Sequence, residues 1–388
     1  MNTEHKFVWL DFVRGLSAIA VCLGHLRAAT IVDYAELGQG NLLQKAFYAA
    51  TGLGHQSVMV FFVLSGFFVG GSVLRSGAGF NAGRYALARL SRLWVVLVPA
   101  LLLTAVVDQV LASMAPDVLS GGYKPIWNSG PVDGHDYSSS WSTLLGNLVF
   151  VQTILTPVFG INSPLWSLAN EFWYYVLFPL CSVAIGWSVR REAATVAPRV
   201  VAGALAVAIL FWLPADIRDA YSIWLMGLVV YFSRGRLSPT LRRVVMVVGL
   251  VAFAASLGYS KSDTLQARLG WPVDPTIGVC FCILCVALAN LPMPKNMNSM
   301  FVRLSHGMST FSYSLYLSHF PLVALIGALG YGTTRVRPDL AGILQFTGWL
   351  ALLLVVGGVF WWLFERKTDE VRRFVAGLPK RYLHASGS

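Results

Sequence analysis

Apolar runs of roughly 15–25 residues recur from one end of the chain to the other, and short segments between them hold most of the charge. A hydrocarbon core of about 30 Å takes ~20 apolar residues per helical crossing, so the pattern predicts an all-α polytopic membrane protein with about ten transmembrane helices. The predicted spans run approximately Val8 to Thr30, Gln56 to Leu74, Leu93 to Ala115, Pro164 to Trp187 and Pro198 to Leu213. The series continues with Ile217 to Ser233, Val244 to Gly258, Val273 to Leu291, Ser305 to Leu329 and Leu340 to Phe364. Between the third and fourth, Trp141 to Leu155 is apolar but short and carries Asn147 and Gln152, which suits a re-entrant or interfacial helix. No internal repeat is evident.

Composition narrows the class further. Of 388 residues 56% are hydrophobic and 12% charged, where a soluble domain carries roughly 25% charge. That balance, with 36 glycines and 17 prolines, excludes disorder, collagen and an ordinary cytosolic enzyme. No hydrophilic stretch is long enough for a separate soluble domain. One domain is therefore expected over 1–388, with a membrane core to about 365 and a basic cytoplasmic tail over 366–388. The first apolar run is interrupted by Asp11 and Arg14 and has no cleavable-signal pattern. Cys22, Cys181, Cys280, Cys282 and Cys285 all sit in apolar runs and read as small packing residues; no metal site is expected.

The net charge of +11 would suggest nucleic acid in a soluble chain, but here position matters more than the sum, and no nucleic-acid partner is expected. With a cytoplasmic N-terminus, the inner segments hold Lys6; Arg75, Arg84, Arg89 and Arg92; Arg190, Arg191 and Arg199; Arg234, Arg236, Arg242 and Arg243; Lys295 and Arg303; and the tail residues Arg366, Lys367, Arg372, Arg373, Lys380 and Arg381. These are most of the 29 basic residues. The stretch from Ala115 to Ser140 carries Asp117, Asp133 and Asp136 against a lone Lys124. Both termini are accordingly predicted inside.

Ionisable groups within spans cost ~2.5–3.5 kcal/mol on insertion scales and are functional candidates by default. The first span holds Asp11, Arg14 and His25. Asp11 and Arg14 are spaced to pair on a helix. The eleven steps from Arg14 to His25 return to nearly the same face, roughly 16 Å along the axis. Glu171 lies in the fourth span, His319 in the ninth, Asp108 in the third, and Ser65-Gly66 near the middle of the second. A lone buried carboxylate such as Glu171 must protonate or pair.

Several blocks then resemble the membrane acyltransferase-3 family. Leu10-Asp11-Phe12-Val13-Arg14-Gly15-Leu16 with Gly24-His25 is similar to its opening signature, and Phe61-Phe62-Val63-Leu64-Ser65-Gly66-Phe67 to its second-span motif. Arg84, Arg89, Arg92 and Pro99 resemble a basic loop before the third span. Trp166-Ser167-Leu168-Ala169-Asn170-Glu171 with Tyr174-Tyr175 and Pro179, and Ser312-Tyr313-Ser314-Leu315-Tyr316-Leu317-Ser318-His319-Phe320-Pro321, resemble later blocks. Glu365-Arg366 resembles the closing one, with Lys367 where proline is common. The blocks run in order over nearly the whole chain, and the chain's end soon after the last span suggests the form without a fused extracytoplasmic hydrolase-like domain.

The resemblance implies acyl transfer from a cytoplasmic acyl-CoA, with acetyl the expected group, to a hydroxyl of an extracytoplasmic glycan or lipid-linked saccharide at the bacterial cytoplasmic (inner) membrane. No bound cofactor is expected, since acyl-CoA is a substrate. His25 suits the general base, and Glu171 a group that orients it. Arg14, Arg84, Arg89 and Arg92 suit donor phosphates, with Asp11, Ser65, Tyr316 and His319 in support. Transfer is expected within a tunnel between the first, second, fourth and ninth spans, directly rather than through an acyl-enzyme on His25, Ser65 or Cys22. Trp127, Trp141 and Tyr137 are candidates to stack on sugar faces. A proton-coupled transporter or flippase is the rival reading, because buried acids and histidines also form proton relays. A scaffold in polysaccharide export is a third.

Overall fold

The computed structural model describes residues 7–131, 137–188, 196–294, 296 and 299–385, with side chains described as far as 377. Lys6, Asp133, Asp136, Arg190, Arg191 and Lys295, which enter the charge argument, lie outside the described residues, as do the side chains of Lys380 and Arg381. Among the described residues the chain is helical, with isolated bridges at Ile31–Val336, Ser138–Phe159 and Gln152–Thr156 and no named strand.

Every predicted span contains a helix. They are α1 (Val8–Thr30), α2 (Gly54–Ser65), α3 (Ala82–Met114), α4 (Trp141–Leu148), α5 (Trp166–Ala184), α6 (Val196–Trp212) and α7 (Ala215–Ser233). After these come α8 (Pro239–Tyr259), α9 (Val273–Ala289), α10 (Met300–Thr310), α11 (Ser312–Ile326), α12 (Leu340–Leu363) and α13 (Thr368–Ala385). Wide π-type turns over Gly66–Gly70 and Gly327–Tyr331 prolong α2 and α11. Among the described residues six stretches are long and apolar enough to cross a bilayer: Val8–Thr30, Gly54–Gly79, Ala82–Met114, Pro239–Tyr259, Ser312–Tyr331 and Leu340–Gly377. A helix over Asp263–Leu269 joined to α9 at a 92° bend raises the number to seven. The chain is thus a polytopic membrane protein. Of the other predicted spans, α6 is short at 17 residues, and α7 begins with Asp216, Arg218 and Asp219.

Three boundaries differ from the sequence expectation. The predicted ninth span breaks at Phe311, so Ser305 belongs to α10. The arginines of the predicted basic loop lie on the first turns of α3 instead, because the Asn81 side chain accepts from the Arg84 N–H at 2.9 Å and starts the helix there. The stretch from Trp141 is helical only as far as Leu148; Phe150 and Thr153 then take left-handed backbone conformations with φ of 61° and 64°. Buried amides hold that turn in place. The Asn147 amide donates to the Pro157 carbonyl at 3.0 Å, and Gln152 donates to the Leu165 carbonyl at 3.0 Å. Most of the tail over 366–388 is the helix α13.

The chain forms two compact units, the first of Met1–Val21, Gly52–Phe80 and Asn170–Thr310, the second of Cys22–Thr51, Asn81–Ala169 and Phe311–Ser388. In the first, α7 packs on α2 and α9, and α8 on α9. Gly66 and Gly227 make the α2–α7 crossing possible: a Cβ on Gly66 would stand 2.9 Å from the Trp224 carbonyl carbon and 3.2 Å from the Gly227 Cα. In the second, α11 packs on α3 and α12, and α13 on α3.

Candidate active site

In the second unit His25 of α1 faces His319 of α11. His25 Nδ1 and His319 Nε2 are 2.9 Å apart, and the rings are nearly parallel at 11°. Phe320 meets His25 edge-on at 4.9 Å. His319 is 1% exposed, whereas His25 is only half-buried, so His25 is the member that can meet a substrate. Hydrogen-bond bookkeeping fixes the tautomers. His319 Nδ1 lies 2.8 Å from the Tyr316 carbonyl and 3.1 Å from that of Leu315. Carbonyl oxygens only accept, so Nδ1 carries the proton and Nε2 of the neutral ring accepts. His25 must then donate from Nδ1, which leaves its Nε2 with a lone pair.

The pair is held from below and above. One turn before His319, the Tyr316 hydroxyl donates to the Pro164 carbonyl at 3.2 Å and then accepts from Ser167 Oγ at 2.7 Å. Asn162 donates to the Leu317 carbonyl at 3.0 Å. At the start of α11, Glu365 accepts from the Ser314 N–H at 3.1 Å and from its hydroxyl at 2.6 Å, so a residue from the end of α12 serves donors of the helix's first turn. Past the end of α1, Val32 and Val336 pair through Val32 N–H to the Val336 carbonyl (3.0 Å) and Val336 N–H to the Thr30 carbonyl (2.9 Å). Arg335 locks this junction. It reaches Asp33 at 2.8 Å, Glu36 at 2.7 Å and the carbonyls of Ala28 and Ile126 at 3.3 and 3.1 Å.

The first unit holds Asp11, Arg14, Ser65 and Glu171. Arg14 and Asp11 form an ion pair at 3.4 Å, and Ser309 of α10 bridges them, donating to Asp11 at 3.0 Å and accepting from Arg14. Glu171 is not a lone carboxylate. The Trp224 indole donates to Ser65 Oγ (3.0 Å), Ser65 donates to the Tyr175 hydroxyl (3.2 Å), and Tyr175 donates to Glu171 (3.3 Å). Ser309 and Trp224 belong to no motif read from the sequence; their roles arise from packing between distant helices. In the second unit, Arg84 and Arg92 are exposed on α3, and the Arg89 guanidinium lies 5.8 Å from the Tyr85 ring.

Other sequence-level candidates sort by exposure. Trp127 is 3% exposed, packed against Tyr123 at 4.9 Å and close over Gly327, which removes it from the sugar-stacking set. Trp141 is 80% exposed. Tyr137 is half-buried, and burial pushes its phenol above the usual range. Asp108, almost fully buried, accepts from the Ile161 N–H at 3.2 Å and so supports a loop. Among the described residues no group of three or more His, Cys, Asp or Glu side chains could hold a metal ion.

A helical membrane protein with this arrangement is matched over residues 7–365 by the acyltransferase domain model of the acyltransferase-3 family, and the chain belongs to that family. Among curated proteins it is similar to the acyltransferase MdmB of Streptomyces mycarofaciens, with 26% identity over 398 residues that cover 95% of this chain and 94% of the relative. No solved structure matches it. The chain is a membrane acyltransferase.

Proposed function

We propose that the protein transfers an acyl group, acetyl in the first instance, from cytoplasmic acyl-CoA to a hydroxyl of an extracytoplasmic glycan in a bacterial cytoplasmic membrane. His25 Nε2 takes the hydroxyl proton, the oxygen attacks the thioester carbonyl carbon, and the C–S bond breaks. The departing thiolate recovers the proton from the imidazolium, so no group remains on the enzyme. The observation that carries this reading is the His25–His319 contact, because it leaves a lone pair on the more exposed ring. General-base action of this kind is worth ~10²–10⁴-fold.

His319 takes the orienting part that a carboxylate plays in a hydrolytic triad. Glu171 acts through its hydrogen-bonded chain to Tyr175 and Ser65. Arg14, held by Asp11 and Ser309, binds donor phosphate, assisted by Arg84, Arg89 and Arg92. Direct transfer is favoured over an acyl-enzyme because Cys22 is fully buried and the Ser65 hydroxyl is engaged with Tyr175 and Trp224.

The test uses purified protein in lipid nanodiscs with radiolabelled acetyl-CoA and a cell-surface glycan. Wild type should label the glycan and release CoA in equal amounts, and His25→Ala should do neither while keeping its melting temperature. Full activity in His25→Ala, or glycan movement across vesicles without thioester consumption, would overturn the reading.

A further inference from the structure

Three guanidinium groups in the first unit meet one aromatic floor. The Arg234 Cζ, just past the end of α7, lies 3.9 Å from the Tyr231 ring centroid and 5.9 Å from those of Phe7 and Phe67. Its Nε donates to the Tyr231 carbonyl at 3.1 Å, which fixes the fork in place. The Arg75 Cζ is 5.9 Å from the same Tyr231 ring. The Arg14 Cζ is 5.7 Å from Phe68. The rings touch one another, Phe67 to Phe68 and Phe7 at 5.0 Å each, Phe7 to Phe68 at 6.2 Å and Phe67 to Tyr231 at 6.4 Å.

The local sequence explains why the floor exists. The wide turn Gly66–Gly70 sets Phe67 and Phe68 side by side against Phe7, and such turns recur at functional sites. Gly71 leaves room for the Tyr231 ring, which any side chain there would strike. Arg75 and Arg234 fall at helix ends predicted to face the cytoplasm, and Arg14 lies in the half of α1 nearest that side.

Among the described residues, Arg75 and Arg234 take part in no ion pair. Inward bias accounts for positive charge at these helix ends. It does not account for guanidinium groups set over aromatic rings, an arrangement that leaves N–H groups for an anion beside π surface. Phosphate oxygens beside a purine match both halves of that surface. We propose that Arg75, Arg234 and Tyr231 bind the phosphorylated adenosine end of the acyl-CoA donor, continuing the surface that begins at Arg14. This rests on the donor assignment made above, and it adds residues which no motif singles out.

The experiment compares two donors in nanodiscs of neutral phosphatidylcholine, acetyl-CoA and S-acetylpantetheine, which lacks the nucleotide. Arg234→Ala and the exposed Arg75→Ala should each raise KM for acetyl-CoA roughly tenfold, the loss expected of one charge-assisted contact. They should leave kcat, and kcat/KM for S-acetylpantetheine, unchanged. Arg234→Lys should recover only part of the loss. Equal losses with both donors would mark a structural role and overturn the proposal, as would an unchanged KM for acetyl-CoA. A loss seen only when anionic phosphatidylglycerol is added would assign the phosphate site to lipid and overturn it as well.

Calorimetric titration with adenosine 3′-phosphate 5′-diphosphate separates this proposal from the transfer reading. Nucleotide binding that weakens tenfold in Arg234→Ala, in a protein that transfers no acyl group, would keep the site and refute the transferase mechanism. Active transfer with nucleotide binding that ignores Arg234 would do the reverse.

Discussion

His25 Nδ1 and His319 Nε2 stand 2.9 Å apart, and the two carbonyls behind His319 decide which ring carries which proton. An imidazole whose Nδ1 is tied up as a donor can act as a base only through Nε2. The buried histidine thereby dictates the chemistry of the more exposed one. A carboxylate in the same place would add charge, whereas a neutral ring gives orientation alone.

Removing that orientation has a defined signature. His319→Ala should lower kcat by about 10²-fold or more, because His25 then loses its fixed tautomer and ring angle. KM for acyl-CoA should stay within about twofold, since His319 touches no donor group in this mechanism. His319→Gln offers a side-chain oxygen that can accept from His25 Nδ1–H and should restore part of the rate. Steady-state kinetics on the three proteins, with ¹⁵N chemical shifts of the His25 ring, check both points. A His319→Ala enzyme with unchanged kcat would remove His319 from the mechanism.

The support beneath the pair is a hydrogen bond between two hydroxyls. Tyr316→Phe and Ser167→Ala each break the 2.7 Å contact between those residues, at a cost of about 0.5–1.5 kcal/mol in stability. Because they break the same contact, the double variant should lose less than the sum of the two single losses. Thermal denaturation in nanodiscs measures the cycle. Additive losses would show that the two hydroxyls act separately.

Much of this is legible in the amino-acid sequence. Apolar run lengths gave a helix at every predicted span, and Asp11, Arg14, His25, Glu171 and His319 stood out because charge inside a span is rare. The i,i+3 spacing foretold the Asp11–Arg14 pair, since that contact is local to one helix turn. What stayed hidden depends on contacts between helices far apart in sequence. The His25–His319 pairing, Ser309 between Asp11 and Arg14, and the Trp224–Ser65–Tyr175–Glu171 chain are of this kind. No periodicity encodes which faces of α1 and α11 meet. Helix starts were misplaced where a side-chain cap overrode hydropathy, as Asn81 does by beginning α3 in a stretch too polar to read as a span.

Arg335 provides a test of how the end of α1 is held. Its side chain is 8% exposed, but its carboxylate partners Asp33 and Glu36 are 38% and 52% exposed, so solvent screens the charge attraction. The fork's bonds to two backbone carbonyls matter at least as much. Arg335→Ala should cost about 1–3 kcal/mol, and Arg335→Lys should recover less than half of it because one ammonium cannot span four acceptors. Amide exchange of Val32 and Val336, whose N–H groups form the bridge, should quicken in Arg335→Ala. Unchanged exchange at both amides would show that the bridge stands without the guanidinium.

Gly66 tests the crossing that carries Ser65. A methyl group there would run into the Trp224 carbonyl, and backbone, unlike a side-chain tip, cannot swing aside. Gly66→Ala should therefore push α2 from α7 at a cost of about 1–3 kcal/mol. The same movement should pull the Trp224 indole from Ser65 Oγ and loosen the path through Tyr175 to Glu171. Ser65→Ala removes the hydroxyl without adding volume, so it should interrupt that path while the helices keep their distance. Comparing the two by melting temperature and Trp fluorescence separates packing from hydrogen bonding. If Gly66→Ala melts no earlier than Ser65→Ala, close backbone approach is not what holds α2 on α7.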